Sequence, residues 1–421
     1  MSQRRRCSER GASARKHTAN HRHTTAPQRS SKERTLINHF APRSRLPLIA
    51  LAAGAVFALA GCTSDAPAAP SAGDSSTGVP ASVLSDAQSL VDQYSGIPEF
   101  EAPGDSFDAT PLKGKSILVV VFSQQAAQLV TLADGISAAA DAAGLESSSI
   151  NADGNITAAS AAIQQGITQG VDAIILDGVP AQLVVKDIAA AGDKDIPVVA
   201  STIGTSYETP GLFGLSSADY VLTGKLMASG AIVKADGEAV TAGTLTFTNP
   251  AVPDALTGIQ EVFDSCGSAC SIVGTTNVEP PDWGTGLSSA ASSLINGNPD
   301  INTIFAVVDD TMGLLASAGV DATSNTGVTV VAAQGSGAGP LGVVQQGGAF
   351  SIDPGQSAAY TGWGAVDQAM RAMLDLEPGE DITPPRYIDT AVLKGLDVAD
   401  QDAIYGNAYV DGFTELWGLS K

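Results

Sequence analysis

From Lys113 onward the chain alternates short, continuous apolar runs with longer segments whose apolar residues recur every three to four positions. The first kind predicts buried strands and the second amphipathic helices. Ser116–Phe122 (SILVVVF) has strand length. Ala126–Ala143 is a helix with Leu129, Leu132, Ile136 and Ala140 on one face and Gly144 as its stop. The alternation continues with a strand at Glu146–Asn151, a helix at Thr157–Thr168, a strand at Val171–Leu176, a helix at Gln182–Ala191 and a strand at Ile196–Ala200. A second series begins with the helix Tyr220–Lys234. It runs through strand Gly243–Thr248, helix Ala255–Asp264, strand Ser271–Asn277, helix Gly286–Asn296, strand Ile301–Val308, helix Met312–Ala318, strand Val328–Ala333 and a short helix Leu341–Gln346. The helix Tyr360–Leu374 and a last strand Tyr387–Leu393 follow. Ahead of both series, Val83, Leu84, Ala87, Leu90 and Val91 space a helix up to Tyr94, broken at Gly96-Ile97-Pro98.

Apolar strands without alternation, separated by helices, predict parallel sheets covered on both faces. Two such series predict an α/β protein of two doubly wound parallel-sheet lobes. Ligands of such sheets bind beyond the carboxyl ends of the strands, so the cleft between the lobes is the expected pocket.

Charge changes the picture of the N-terminus. The chain of 421 residues carries 22 Lys+Arg against 44 Asp+Glu, a net −22. Residues 1–45 hold ten Arg and two Lys against Glu9 and Glu33, a net +10, so the rest carries −32. All four His (His17, His21, His23, His39) lie in that basic stretch. The remainder therefore lacks the base of Ser-His-Asp and Cys-His enzymes and the imidazoles of zinc sites. A body of −32 also argues against nucleic acid or an anionic membrane surface as partner.

Residues 1–42 lack apolar periodicity. They read as a disordered extension or as sequence upstream of the true start, the other reading being a basic nucleic-acid arm. Arg43 and Arg45 flank the 14-residue apolar run Leu46–Leu59, too short to span a bilayer, which ends in Leu59-Ala60-Gly61-Cys62. This resembles the lipobox of a bacterial lipoprotein, with Cys62 taking the lipid. The expected division is 1–45 basic extension, 46–61 h-region and lipobox, and 62–80 lipidated Cys and flexible Ala/Pro/Ser/Gly tether. With Cys7 upstream, only Cys266 and Cys270 would be left in the exported body. An isolated C-x₃-C cannot complete a zinc site. A short disulfide loop is expected in an oxidising compartment, two free thiols being the other reading.

Several stretches resemble the type I periplasmic binding proteins, in particular the ribose/sugar cluster of substrate-binding lipoproteins of ABC importers. They are Lys113-Gly114-Lys115-Ser116-Ile117-Leu118-Val119-Val120-Val121, Gly170-Val171-Asp172-Ala173-Ile174-Ile175-Leu176 and the D-x₄-G-K segment Asp219–Lys225. Further matches are Asp282-Trp283 with Asn298-Pro299-Asp300-Ile301-Asn302-Thr303-Ile304-Phe305-Ala306, and Tyr360–Asp367. The resemblance covers about residues 80–421. It implies interleaved lobes, 81–217 plus 353–378 for lobe 1 and 218–352 plus 379–421 for lobe 2 with a C-terminal strand and tail, joined by a hinge. It implies a non-enzymatic, monomeric solute receptor on the extracytoplasmic face of the cell membrane, with an ABC permease as partner and no cofactor or metal.

The chain departs from the family's polar clamp. The family's Asn-Asp is Val308-Asp309, its Gly-Phe-Asp-Gly is Ala332-Ala333-Gln334-Gly335, its Asp-Arg is Thr202-Ile203 and its late Gln is Ile352. Arg371 and Arg386 are the only Arg after the signal segment, so a strongly anionic ligand is not expected. The cleft set is Phe122, Ser123, Gln124, Asp177, Thr202, Asn249, Trp283, Asp309 and Gln334. It suits a neutral sugar-like ligand, or one less hydroxylated or cationic, with Phe122 and Trp283 sandwiching a ring. Phe122 and Trp283 read equally as core, and Asp177 and Asp309 as helix caps. Gly335-Ser336-Gly337-Ala338-Gly339 lacks the spacing of a dinucleotide loop. The alternatives are a sensor ectodomain presenting a ligand to a membrane signalling partner, and a carboxylate-based α/β hydrolase.

Overall fold

The computed structural model describes residues 78–202, 204, 209–249, 251–317 and 327–419. The predicted h-region, Cys62 and residues 62–77 of the tether lie outside them. Among the described residues no helix is long and apolar enough to cross a membrane.

Lobe 1 is built on a six-stranded parallel sheet in the order β11-β5-β4-β3-β1-β2. Its strands are β1 (Ser116–Val121), β2 (Glu146–Asn151), β3 (Ala173–Asp177), β4 (Val198–Ser201), β5 (Gly214–Ala218) and β11 (Asp381–Thr383). Ile117, Val119 and Val121 turn to one face, where they meet helices α2 (Ala127–Ala143), α10 (Ala358–Met373) and α12 (Ala408–Leu416). Leu118 and Val120 turn to the other, against α3 (Ile156–Gln169) and α4 (Val185–Gly192). Burial of both faces explains why β1 shows no alternation.

Lobe 2 carries a five-stranded parallel sheet in the order β10-β9-β8-β6-β7. Its strands are β6 (Val240–Thr246), β7 (Cys270–Asn277), β8 (Thr303–Ala306), β9 (Thr329–Ala332) and β10 (Phe350–Ile352). One face packs on α7 (Trp283–Gly297), α8 (Asp310–Ser317) and α9 (Ala338–Gln346). The other packs on α5 (Tyr220–Lys234) and α6 (Ala251–Ser265). The short α11 (Gln401–Tyr405) adds Ile404 and Tyr405 to the first of these cores.

Local chemistry sets the helix ends. Gly144 at φ 72° closes α2, its N–H donating to Ala140 and Asp141 carbonyls. Asn155 caps α3 by accepting from the N–H groups of Thr157 and Ala158. Asp219 accepts from Leu222 N–H at 2.9 Å at the start of α5, and Ser357 from Tyr360 N–H at 3.2 Å at the start of α10.

The structure differs from the sequence reading in several places. The helix α1 (Ala81–Tyr94) belongs to the lobe 2 core, not to lobe 1, because Val83, Ala87 and Val91 pack with Leu226, Met227 and Ile232 of α5. Residues 379–421 are divided: β11 joins the lobe 1 sheet beside β5, and Phe413 and Trp417 enter the lobe 1 core. The expected strand Tyr387–Leu393 is absent. Its backbone makes one isolated bridge, Asp389 with Ile352, next to that of Arg386 with Gly355, before turning at Thr390. The predicted helix Gln182–Ala191 breaks at Val184, where ψ is 21° and the side chain is drawn into the core. The short strands β5, β10 and β11 carry little apolar signal and are set by pairing with neighbours already in place.

Arg371 is structural. It pairs with Asp367 at 2.6 Å, and the indole N–H of Trp417 donates to the other oxygen of the same carboxylate at 2.8 Å. This bond fixes the last helix against α10.

Candidate functional site

Parallel register places the predicted residues in rows at the strand ends. In lobe 1, Val121 pairs with Asp177 and Asp177 with Ser201, so Asp177 closes this row and Phe122 and Thr202 stand one residue beyond it. Phe122 N–H donates to the Asp177 carbonyl at 2.9 Å. Ser123 and Gln124 continue over the start of α2, with Gln124 exposed and its N–H donating to the Asn151 side chain at 3.2 Å. In lobe 2, Leu245, Ala306 and Ala332 stand in register, so Asn249, Asp309 and Gln334 lie just past one line.

Asp177 is completely buried, and neither carboxylate oxygen has a hydrogen-bond partner. Burial alone holds its carboxyl well above the usual carboxylate range. It caps no helix. Thr202 sits at φ 55° and Gln334 at φ 108°, conformations that non-glycine residues rarely hold, least of all a β-branched Thr. Strain of this kind collects at ligand sites.

Asp309 immediately precedes α8. Its carboxylate accepts from Ser336 N–H at 3.0 Å and from the Ser336 hydroxyl at 3.3 Å. Burial, with the neighbouring Asp310 charge adding, pushes it up to about 7 against the pull of those bonds. Asp353, just beyond β10, accepts from Gly335 N–H at 3.2 Å with one oxygen and leaves the other without a partner. Burial first, then Asp309, hold its carboxyl well above the normal range. The Tyr405 hydroxyl donates to the Gly335 carbonyl at 2.7 Å and braces the same loop.

Trp283 is half-buried at the start of α7. Its indole N–H donates to the Val278 carbonyl at 2.8 Å, and its ring meets Phe247 edge-on at 5.5 Å. Its aromatic neighbour is thus Phe247 of the same lobe, while Phe122 leans on the lobe 1 cores. The two rings do not stack on each other. The Asn249 side chain accepts from Ala251 N–H at 2.8 Å and so begins α6.

Sequence reasoning missed Gln356 and Gln128. Ile352, read as the late polar position, is a core residue inside β10. The polar position lies four residues on. Gln356 is 1% exposed, and both ends of its amide lack partners. Gln128, in the first turn of α2, is buried with its amide nitrogen unpartnered. Its neighbour Leu129 lies over Gly178, directly after Asp177. The available signal for Gln356 was its place just before the Ser357 cap, at a strand-to-helix turn.

Cys266 and Cys270 are disulfide-bonded, with Cα atoms 5.4 Å apart, far from the strand ends that form the site. A depression of about 490 Å³ lies at the opposite, amino-terminal edge of the lobe 1 sheet, beside the 2.7 Å Lys115–Asp172 pair, and gathers none of these residues.

A family model described as a periplasmic binding protein domain matches residues 117–375, well over half of the chain. The chain belongs to the periplasmic binding protein family. Solved structures agree with this fold. An ABC transporter solute binding protein from Mycobacterium smegmatis with bound glycerol aligns at TM-score 0.60 and 19% identity, over 68% of this chain and 97% of that one. A periplasmic ribose ABC transporter protein from Conexibacter woesei aligns at 0.60 and 21%, over 72% and 100%. A carbohydrate transporter solute binding protein from Agrobacterium radiobacter in complex with D-arabinose aligns at 0.60 and 15%, over 68% and 98%. None of the curated proteins compared matches the sequence. The membership accounts for the two parallel-sheet lobes, and proteins of this architecture take ligands beyond the carboxyl ends of their strands.

Proposed function

We propose that this protein is an exported solute receptor, anchored at the cell membrane through a lipidated Cys62, that captures a small hydroxylated molecule and hands it to an ABC permease. The reading rests on one observation above all. Gln128 and Asp177 are buried at the lobe 1 strand ends and Gln356 in the passage from β10 to α10, and together they carry donors and acceptors without partners. Folded proteins pair nearly all such groups, and a leftover set implies a polar guest. A hydroxyl both donates and accepts, so a sugar or related polyol matches amides and a carboxyl together. The glycerol and D-arabinose bound by the two relatives are of this class. Phe122, Ser123, Gln124 and Thr202 would line the same wall. Asn249, Trp283, Asp309 and Gln334 would form the facing one, with Trp283 offering its ring to a sugar's C–H face.

The test is a thermal-shift panel of monosaccharides and polyols on the purified protein, with mass spectrometry of each hit. A receptor rises in Tm according to RT ln(1 + [L]/Kd) and returns its ligand unchanged. A panel without a hit, or a hit that is consumed, would overturn the reading. Loss of lipid labelling in Cys62→Ala tests the anchor separately.

A further inference from the structure

The described chain passes between the lobes repeatedly. Residues 95–99 lead from α1 in the lobe 2 core to Phe100 against the lobe 1 core. Asp219 joins β5 to α5, and residues 353–357 join β10 to α10. Residues 384–386 lead from β11 back to Tyr387 and Ile388 in lobe 2, and Gly406-Asn407 join α11 in lobe 2 to α12 in lobe 1.

Arg386 joins three of these five passages and also bonds α11. It stands in the fourth. Its backbone exchanges two hydrogen bonds with Gly355 of the third, donating at 2.6 Å and accepting at 3.0 Å. Its Nε donates to the Ser95 carbonyl of the first at 3.0 Å, and its Nη1 donates to the Ile404 carbonyl within α11. The next residue, Tyr387, donates its N–H to the Tyr94 carbonyl at 2.7 Å. The guanidinium is buried, and among the described residues it forms no salt bridge with a carboxylate. Burying a cation is costly unless it is hydrogen-bonded. Here the planar fork gives Nε and Nη1 to two backbone carbonyls from distant parts of the chain, in a fixed geometry that a flexible lysine stem does not impose.

The third passage also carries site residues. Gly355 bridges Gln334, whose N–H donates to the Pro354 carbonyl at 3.0 Å, and Gln356 follows directly. We infer that Arg386 is a positioning residue that pins the hinge: it ties the segment after α1 and helix α11 to the passage that carries Gln356 and bridges Gln334, and so limits how far the lobes open. This rests on the receptor reading, in which the lobes move about these passages.

The experiment compares Arg386 protein with Arg386→Lys and Arg386→Met. Spin labels go on L183C in lobe 1 and L314C in lobe 2, both exposed in the parent, with Cys7 and Cys62 replaced by Ser. The interlobe distance distribution should lengthen and broaden in Arg386→Met and fall between in Arg386→Lys. Amide exchange at Gly355, Arg386 and Tyr387 should accelerate together, by about tenfold or more for loss of charged hydrogen bonds. A folded Arg386→Met with the parent's distance distribution would overturn the inference, as would faster exchange confined to residue 386. If Arg386→Met does not fold, exchange in the parent decides. Gly355, Arg386 and Tyr387 must then open as one unit with a common denaturant dependence, and separate openings would overturn it. One fixed distance in the parent, unmoved by every sugar in the panel, would strike the receptor reading instead. The exchange measurement would still decide the role of Arg386.

Discussion

Asp309 and Ser336 are joined twice: one carboxylate oxygen accepts from both the backbone N–H and the hydroxyl of Ser336, tying the end of β8 to the loop after β9. The pair is fully inside the protein, and burial pushes the Asp309 carboxyl up to about 7. An unfolded Asp titrates near ~3.9. Between those values the folded chain holds a proton that the unfolded chain has released. Stability from this group is therefore full below about pH 4 and is lost as pH rises to about 7. Asp177, Asp353 and Asp381 are displaced the same way, burial being the first cause in each. The lowered Asp108, Asp172 and Glu279 oppose them, but these lie at the surface or only partly buried and count for little. Tm should be higher at pH 5 than at pH 8, and Asp309→Asn should flatten that slope while keeping the Ser336 contact. An unchanged slope in the variant would contradict the assignment.

Gln356→Leu removes an amide whose two ends have no partners in the protein. Each unsatisfied polar group costs about 1–3 kcal/mol, so an apolar side chain of similar size should leave Tm equal or raise it. The ligand-dependent rise in Tm should disappear. Stability and binding moving in opposite directions would mark a residue kept for the ligand. A large fall in Tm would show a structural one.

Trp283 serves its own lobe through Phe247 and the Val278 carbonyl. Trp283→Phe keeps the ring contact and gives up one hydrogen bond, about 1 kcal/mol. Trp283→Ala should cost more, about 2 kcal/mol for a half-buried ring. If the ring also faces the sugar, calorimetry on the panel's hit will show much weaker binding in the Ala variant and near-normal binding in the Phe variant. Equal affinities in all three proteins would remove Trp283 from the site.

The Cys266–Cys270 bond closes a very short loop between α6 and β7. Chain entropy for such a loop gives only about 2 kcal/mol. Replacing both Cys with Ser should lower Tm by a few degrees and leave ligand binding intact, because the loop lies at the amino-terminal end of β7. A loss of binding at full stability would place the loop in the functional mechanism.

What the sequence determined by itself was local and periodic. Val119 and Val120 lie on opposite faces of a sheet covered twice, so strand, parallel pairing and α/β class were all legible in SILVVV. The cap at Asp219 and the stop at Gly144 act within a few residues and were equally readable. The rows at the strand ends followed, since a doubly wound sheet aligns them whatever the loops contain. The tertiary structure alone decided the rest. Strand β11 has three residues and exists because β5 offers it an edge. Helix α1 has an apolar face that could serve either lobe, and only the surface of α5 assigns it. The want of partners at Gln356 and the bonds of Arg386 to Ser95 and Ile404 are contacts between residues far apart in the chain. No spacing along one strand of sequence encodes them, because they arise where separately folded segments meet.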